Sequence, residues 1–427
     1  MIMVTRILLN AVFVFSVIFI WLMLIYQFFL TIGGFRLRLK TIRDRRLSKG
    51  DIALPSVSIL IPARNEAKVI RGLLRAIDEL EYPKDHLEII VINDGSTDGT
   101  KTIVEDLSRI NPRIRLIDIP EPRSGKGKSA ALNRGLTAAV YDIVAVYDAD
   151  NLPERDSLVQ LCRSLLADPK LAAVTGKFRA YNKNRNLLTR LINIESIAFQ
   201  WIIQAGRSFF LKICFLPGTN FVIRKSVLEE VQGWDEGALT EDAELTLRIY
   251  EKGYLIKFLP TAASWEQEPE TLRAWVGQRT RWARGNTYLI AKHGRRLLRF
   301  PLKLMSIEIL NLLYLYYFFM FAILFSDILF ILSLFHIVHI RVPGPYAQLW
   351  GLAFLLFLME ILIALSFEDE DSFSSLGLAV VAYLIYTKLW VYVVIKSLLE
   401  EYVFKYNKTW VKTERYEKDS HQHKEQS

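Results

Sequence analysis

Residues 7–32 are almost continuously apolar, and comparable runs return near 308–335, 347–366 and 376–399. An α-helix needs about 20 apolar residues to cross the hydrocarbon of a bilayer. Backbone in lipid must satisfy its own hydrogen bonds, which helices and closed barrels do. These runs therefore predict membrane helices and confine any water-facing domain to the stretch between the first and second. The first run is followed by a basic cluster, Arg36-Leu37-Arg38-Leu39-Lys40 through Arg45-Arg46. Charge after the apolar run, rather than before it, marks an uncleaved anchor instead of a signal peptide. The same cluster places residues 36 onward in the cytoplasm. The net charge of +9 lies largely beside apolar segments and forms no aromatic-interleaved stripe. The lipid bilayer, not nucleic acid, is the expected partner. Cys162 and Cys214 are too few for a disulfide framework and fit a reducing compartment.

Between the membrane segments, residues 55–265 alternate short apolar strands with amphipathic helices. Val57–Ile61, Leu87–Ile92, Ile114–Ile117 and Ile143–Tyr147 read as strands, and Ala67–Glu79, Thr100–Ser108 and Lys128–Ala138 as helices. This alternation predicts an α/β fold with a mainly parallel sheet covered by helices. Such sheets bind ligands at the carboxyl ends of their strands. Polar motifs fall at those ends. Ala63-Arg64-Asn65-Glu66 follows the first strand, Asp94-Gly95-Ser96 the second, and Asp148-Ala149-Asp150 the fourth.

Two carboxylates leaving a buried strand, Asp148 and Asp150, offer the hard oxygens that Mg2+ or Mn2+ prefers. A solvated turn is the plainer reading of the same residues. Asp94 suits recognition of a base N–H, while Thr97 or Asp98 caps the next helix. Ser124-Gly125-Lys126-Gly127-Lys128-Ser129 is not a P-loop, because Pro122 stands where that pattern needs glycine. It remains a basic turn before a helix, suited to a diphosphate through Lys126 or Lys128. Thr240-Glu241-Asp242 opens a helix expected over Ala243–Glu251. The acidic pair there is either a macrodipole contact or, through Asp242, a general base. Residues 269–299 are amphipathic and basic, as in a helix lying in the membrane interface. They contain Gln278, Arg281 and Trp282.

In this order, Asp94-Gly95-Ser96, Asp148-Ala149-Asp150, Thr240-Glu241-Asp242 and Gln278-Arg279-Thr280-Arg281-Trp282 resemble the motifs of the membrane-bound family 2 glycosyltransferases. That group holds the cellulose, chitin and hyaluronan synthases. The resemblance covers roughly residues 55–290. With the anchor and the tail segment Thr409-Trp410-Val411-Lys412-Thr413-Glu414-Arg415, it looks most like the bacterial biofilm poly-N-acetylglucosamine synthases. The resemblance implies a GT-A-type nucleotide-sugar-binding fold. It places Ala63, Asn65, Glu66 and Asp94 around the nucleoside and Lys126 or Lys128 at the diphosphate. Asp148 and Asp150 would bind donor and metal, Asp150 more directly. Asp242, with Glu241 beside it, would be the catalytic base. Gly218, Thr219 and Asn220 would meet the acceptor's terminal sugar, with Gln278, Arg281 and Trp282 on the acceptor and leaving-group side. Pro217 departs from the cysteine usual in cellulose and hyaluronan synthases, which weakens any transfer of polymer identity from them.

The expected organisation is an anchor over 1–35, a cytoplasmic catalytic domain over 50–268, an interfacial region over 269–305, about three membrane helices over 306–400 and a basic tail over 401–427. The expected function is inverting, metal-dependent transfer from a UDP-sugar, with N-acetylglucosamine ahead of glucose, to a growing β-linked polysaccharide that is then exported. Glu308, Asn311, Asp327, Glu360 and Lys388 are candidates to face an export channel, since ionisable residues in spans rarely face lipid. An accessory membrane subunit fits the same picture. The rivals are transfer of one sugar to a lipid acceptor, synthesis of a β-glucan from UDP-glucose, and a catalytically silent scaffold. The intact carboxylates argue against the last.

Overall fold

The computed structural model describes residues 2–47, 53–298, 303–340 and 342–404. The tail from Lys405, including the Thr409–Arg415 segment, lies outside the described residues. So do the side chains of Arg45 and Arg46. Two compact units emerge. One draws on Arg38–Ser196 and Leu211–Gly277. The other draws on residues up to Leu37, Ile197–Phe210, and the chain from Gln278 on.

The first unit is built on an eight-stranded sheet. Its strands are β1 (Val57–Ala63), β2 (Leu87–Asn93), β3 (Ile114–Asp118), β4 (Ile143–Val146), β5 (Leu152–Pro153), β6 (Leu171–Ala180), β7 (Phe221–Arg224) and β8 (Leu255–Glu266). Their order is β3-β2-β1-β4-β7-β6-β8-β5. The four predicted strands all form, each within a residue or so of its expected ends. β1 pairs in parallel with β2 and β4, and β2 with β3. β6 is parallel to β8 as well. β7 runs antiparallel to both β4 and β6, and β5 antiparallel to β8, so the sheet is mixed.

Both faces of the central strands are buried, which is why they read as unbroken apolar runs. Ile59, Ile61, Ile89 and Val91 share one core with Ile70, Leu73, Leu74 and Ile77 of the helix Ile70–Asp78, and with Leu158, Leu161 and Leu165 of the helix Ser157–Leu166. Cys162 lies in that core, and burial pushes its thiol up to about 12. Both cysteines are buried, and neither is in a disulfide. The helix Lys128–Ala138 has the predicted bounds.

The second unit contains four helices long and apolar enough to cross a membrane: Arg6–Arg43, Leu304–Leu334, Tyr346–Ser366 and Phe373–Val403. The first is continuous through the basic cluster, within a helix spanning Ile2–Leu47. Ile20, Leu24, Ala322 and Ala353 pack as one cluster joining three of the four.

The segment Ile197–Phe210 falls inside the expected catalytic range of 50–268 yet packs with these helices. Two glycines explain how. A Cβ on Gly34 would stand 2.0 Å from the Trp201 carbonyl oxygen, and one on Gly206 would stand 2.3 Å from that of Leu30. Only residues without side chains let the two backbones approach so closely. Arg207, in this segment, is fully buried and donates to Glu308 Oε1, also fully buried. The Trp201 indole donates to Glu368 at 2.6 Å. Of the candidate channel residues, Glu308 is thus paired with Arg207, and Asp327 with Lys388 at 2.8 Å.

Candidate active site

The site is assembled by strand register. Ala63 at the end of β1 lies beside Asn93 at the end of β2, which lies beside Asp118 at the end of β3. The turns leaving these strands are laced together. Asn65, with a left-handed φ of 55°, accepts the Thr97 amide on Oδ1 at 2.7 Å. The Glu66 amide donates to the Thr100 hydroxyl at 2.7 Å, and the Ala67 amide to Asp98 at 3.1 Å. Asp98 also accepts the Thr100 amide at 2.9 Å, but the cap is Gly99 rather than the expected Thr97 or Asp98. Asp94 is buried, and its Oδ1 accepts the Gly125 amide at 2.8 Å. Ala63, Asn65, Glu66 and Asp94 therefore line one stretch of the sheet edge, with the Ser124-Gly125 turn drawn onto it.

β4 and β7 are antiparallel, with Val146 opposite Phe221. The chain leaving β4 therefore meets the chain entering β7, and Asp148 meets Gly218-Thr219-Asn220. The Asp148 amide donates to the Thr219 hydroxyl at 3.0 Å. The Asn220 amide group donates to the carbonyls of Lys177, at 2.9 Å, and Ala262, at 3.0 Å. This side chain thus staples the loop to neighbouring strands. Asp150 is buried. The next residue, Asn151, accepts the Ser264 hydroxyl at 2.7 Å, which braces the turn against β8.

Lys128, the first residue of its helix, joins these pieces. Its Nζ lies 2.7 Å from Asp148 Oδ1 and 3.3 Å from Glu241 Oε1, and donates to the Gly218 carbonyl at 2.9 Å. Burial alone would lower the Lys128 ammonium. The Asp148 and Glu241 carboxylates, with Asp242, outweigh it and hold the group charged well above the usual lysine range. Gly218 has φ of 79°, and a Cβ there would stand 2.9 Å from Asp242 Oδ2 and 3.1 Å from Lys128 Nζ. Glycine is required on both counts.

The acidic helix spans Glu241–Glu251, two residues earlier than expected, with Glu241, Asp242 and Glu244 in its first turn. There the macrodipole favours their charge. Asp242 Oδ1 accepts the Ala243 amide at 2.7 Å, and Oδ2 is the oxygen that lies toward Gly218.

Among the described residues no three His, Cys, Asp or Glu side chains form a ready metal cage. The hard oxygens of Asp148 and Asp150 still fit Mg2+ or Mn2+ when diphosphate oxygens complete the shell, since such ions commonly take only one or two carboxylates from the protein.

Two expected groups make contacts of their own. Lys126 lines a basic cavity of about 260 Å³ with Arg123, Asn133, Arg134 and Glu236. Gln278, Arg281 and Trp282 belong to the membrane unit, on the helix Leu272–His293. There Arg279 donates to Gln278 Oε1 at 2.6 Å, and its guanidinium lies 4.1 Å from the centroid of the Trp282 ring. One face of that indole is thus covered by a cation. Arg284 on the same helix pairs with Glu401 at 3.2 Å and Glu400 at 3.8 Å. This stretch of helix is packed within its unit through its basic residues, not merely laid on a surface.

Sequence reasoning missed the shared position of Lys128, the Arg279 contact and the Ile197–Phe210 segment. Arg207, flanked by the aromatics Trp201, Phe209 and Phe210, was the available signal.

The comparisons agree with this geometry. The profile described as "Glycosyltransferase like family 2" matches residues 55–285. A probable glycosyltransferase, YdaM of Bacillus subtilis (strain 168), is 44% identical over 95% of this chain and 98% of its own length. A poly-beta-1,6-N-acetyl-D-glucosamine synthase of Staphylococcus aureus (strain COL) is 33% identical over 62% of this chain and 63% of its own. Among solved structures, a mannosyltransferase from Pyrobaculum calidifontis in complex with GDP-Man and Mn2+ superposes with a TM-score of 0.54 at 25% identity, covering 85% of this chain and 99% of that one. The family match extends over more than half of the sequence, and the chain belongs to the family 2 glycosyltransferases.

Proposed function

We propose that this chain transfers N-acetylglucosamine from UDP-N-acetylglucosamine to a growing β-linked polysaccharide and helps export it. Its catalytic domain would lie in the cytoplasm, in a chain with about four membrane spans. The observation that carries the reading is the meeting of three motifs at Lys128. One ammonium contacts Asp148 of the metal motif, Gly218 of the acceptor loop and Glu241 beside the proposed base. The 33% identity to a poly-beta-1,6-N-acetyl-D-glucosamine synthase favours the sugar.

Asp242 is the base. Its Oδ2 takes the proton of the acceptor hydroxyl, and the helix N-terminus keeps the carboxylate ionised until then. The freed oxygen attacks the anomeric carbon from the face opposite the nucleotide, so an α-linked donor gives a β-linked product. Asp94 holds the base through a nucleobase N–H, with Ala63, Asn65 and Glu66 forming the wall beside it. Asp150 and Asp148 would hold Mg2+ or Mn2+, which when bound offsets the charge of the departing diphosphate. Thr219 keeps Asp148 and the acceptor loop in register. Gln278, Arg281 and Trp282 carry the acceptor and leaving-group roles that the family motif assigns them.

Purified full-length protein in nanodiscs with Mn2+ tests this. Radiolabelled UDP-N-acetylglucosamine, UDP-glucose and GDP-mannose would be offered separately, and the product sized and digested with linkage-specific hydrolases. A long β-linked polymer from UDP-N-acetylglucosamine is expected. A single sugar on extractable lipid, or a product from another donor alone, would overturn the assignment.

A further inference from the structure

An ammonium has three N–H donors and no acceptor. Around Lys128 stand three acceptors: Asp148 Oδ1 at 2.7 Å, Glu241 Oε1 at 3.3 Å and the Gly218 carbonyl at 2.9 Å. The ammonium is thus already held by two carboxylates and a carbonyl, and a phosphate oxygen reaching Lys128 competes with them. Asp148 is also one of the two carboxylates suited to the divalent ion. An ion arriving alone therefore meets a cation already seated on the oxygen it needs, in a partly buried place where repulsion is poorly screened.

Gly218 holds its carbonyl in place through its left-handed turn, and Thr219 ties the same turn to the Asp148 amide. Glu241 is anchored in the first turn of its helix. Asp148 is the most exposed of the three acceptors, with a side chain 31% exposed against 10% for Glu241. It is the partner best able to exchange. A diphosphate supplies both halves of that exchange, anionic oxygens for the ammonium and further ligands for the ion.

We propose that Lys128 guards Asp148. Its ammonium competes with the divalent ion for that carboxylate, so the ion is taken up together with the donor's diphosphate rather than before it. This rests on the metal-dependent reading above and goes beyond it by fixing the order of loading and the residue that sets it. Lys128 acts here as a positioning residue.

The test is Mn2+ binding to the full-length protein, read from the electron paramagnetic resonance signal of free Mn2+, with no sugar transfer involved. Wild type should bind Mn2+ weakly alone and at least about tenfold more tightly with UDP. Lys128→Met should bind Mn2+ alone at least about tenfold more tightly than wild type, the scale of removing one nearby partly buried charge. It should also lose most of the gain from UDP. Lys128→Gln removes the charge but keeps a donor for the Gly218 carbonyl, and should behave like Lys128→Met if the latter folds poorly. Lys128→Arg should stay as weak as wild type. UDP-dependent uptake by wild type, with unchanged Mn2+ affinity in the charge-removing variants, would overturn the guard while leaving the metal-dependent reading intact. No uptake by wild type even with UDP would overturn both.

Discussion

Lys128 and Arg207 are both cations held by carboxylates, and they are built to opposite ends. Arg207 faces Glu308 in a fully buried pair inside the membrane unit. Lys128 is shared among Asp148, Glu241 and a carbonyl, with Asp242 close by, at an edge where Asp148 still reaches solvent. A fully buried pair is closed to solvent, and losing either member leaves an uncompensated charge in the interior. A cluster with more carboxylates than cations invites a cation from outside. The first arrangement belongs to assembly and the second to turnover.

Removing a carboxylate separates the two. Asp242→Asn takes the proposed base from the open cluster and should lower transfer by about 10²–10⁴-fold, the usual worth of a positioned base. UDP binding and thermal stability should be retained. Transfer at a near-normal rate would refute the assignment. Glu308→Gln should do the reverse. It should destabilise the folded protein in detergent by about 3–5 kcal/mol, as when one partner leaves a buried pair. Replacing both Arg207 and Glu308 by leucine should recover much of that loss. A thermal unfolding profile equal to wild type for Glu308→Gln would erase the contrast.

Gly218→Ala sits between these extremes. A left-handed φ and close approach to Asp242 and Lys128 predict a stability loss of about 1–3 kcal/mol, with transfer falling because the cluster is pushed apart. Unfolding and transfer assays on the same preparation check both.

The smallest effect should come from the exposed pair Lys101–Asp118, at 2.7 Å. The hydrogen bond from Lys101, and then that from Asn93, hold the Asp118 carboxyl below its usual range. A depressed carboxyl stabilises the fold above its ordinary pKa, and that contribution fades as pH falls through the lowered value. Lys101→Met should therefore lower stability only slightly at neutral pH, because solvent screens an exposed pair, with thermal unfolding as the readout. The difference from wild type should vanish once Asp118 is protonated in both. A gap that widened in acid would contradict the pairing.

The parallel half of the sheet was legible because strands buried on both faces carry unbroken apolar runs and their motifs lie directly at their ends. Lys128–Ala138 was legible to the residue, because the glycines before it and the end of its apolar pattern mark both boundaries. The antiparallel insertion of β7 was not, since that strand is only Phe221–Arg224 and its direction depends on partners far away in sequence. Lys128 reads locally as a phosphate-seeking lysine. Its contacts with Gly218 and Glu241 depend on how β4 meets β7, which no local pattern encodes. Ile197–Phe210 was read as part of the α/β domain because it is too short and too polar for a span. Gly33, Gly34 and Gly206 gain their meaning only when two helices cross.

The Arg207–Glu308 pair also sets a timetable. The partners lie 101 residues apart in sequence, so at roughly 5–20 residues per second the ribosome delivers Glu308 about 5–20 s after Arg207. Throughout that interval the catalytic sheet can begin to close, while Ile197–Phe210 has the first membrane helix to lean on but not yet the Glu308 carboxylate. Final docking of this segment is therefore a late event in biogenesis, gated by emergence of the second membrane helix. A soluble fragment trimmed to the catalytic residues alone would display that segment permanently, and would need it recoded before it behaved as an independent protein.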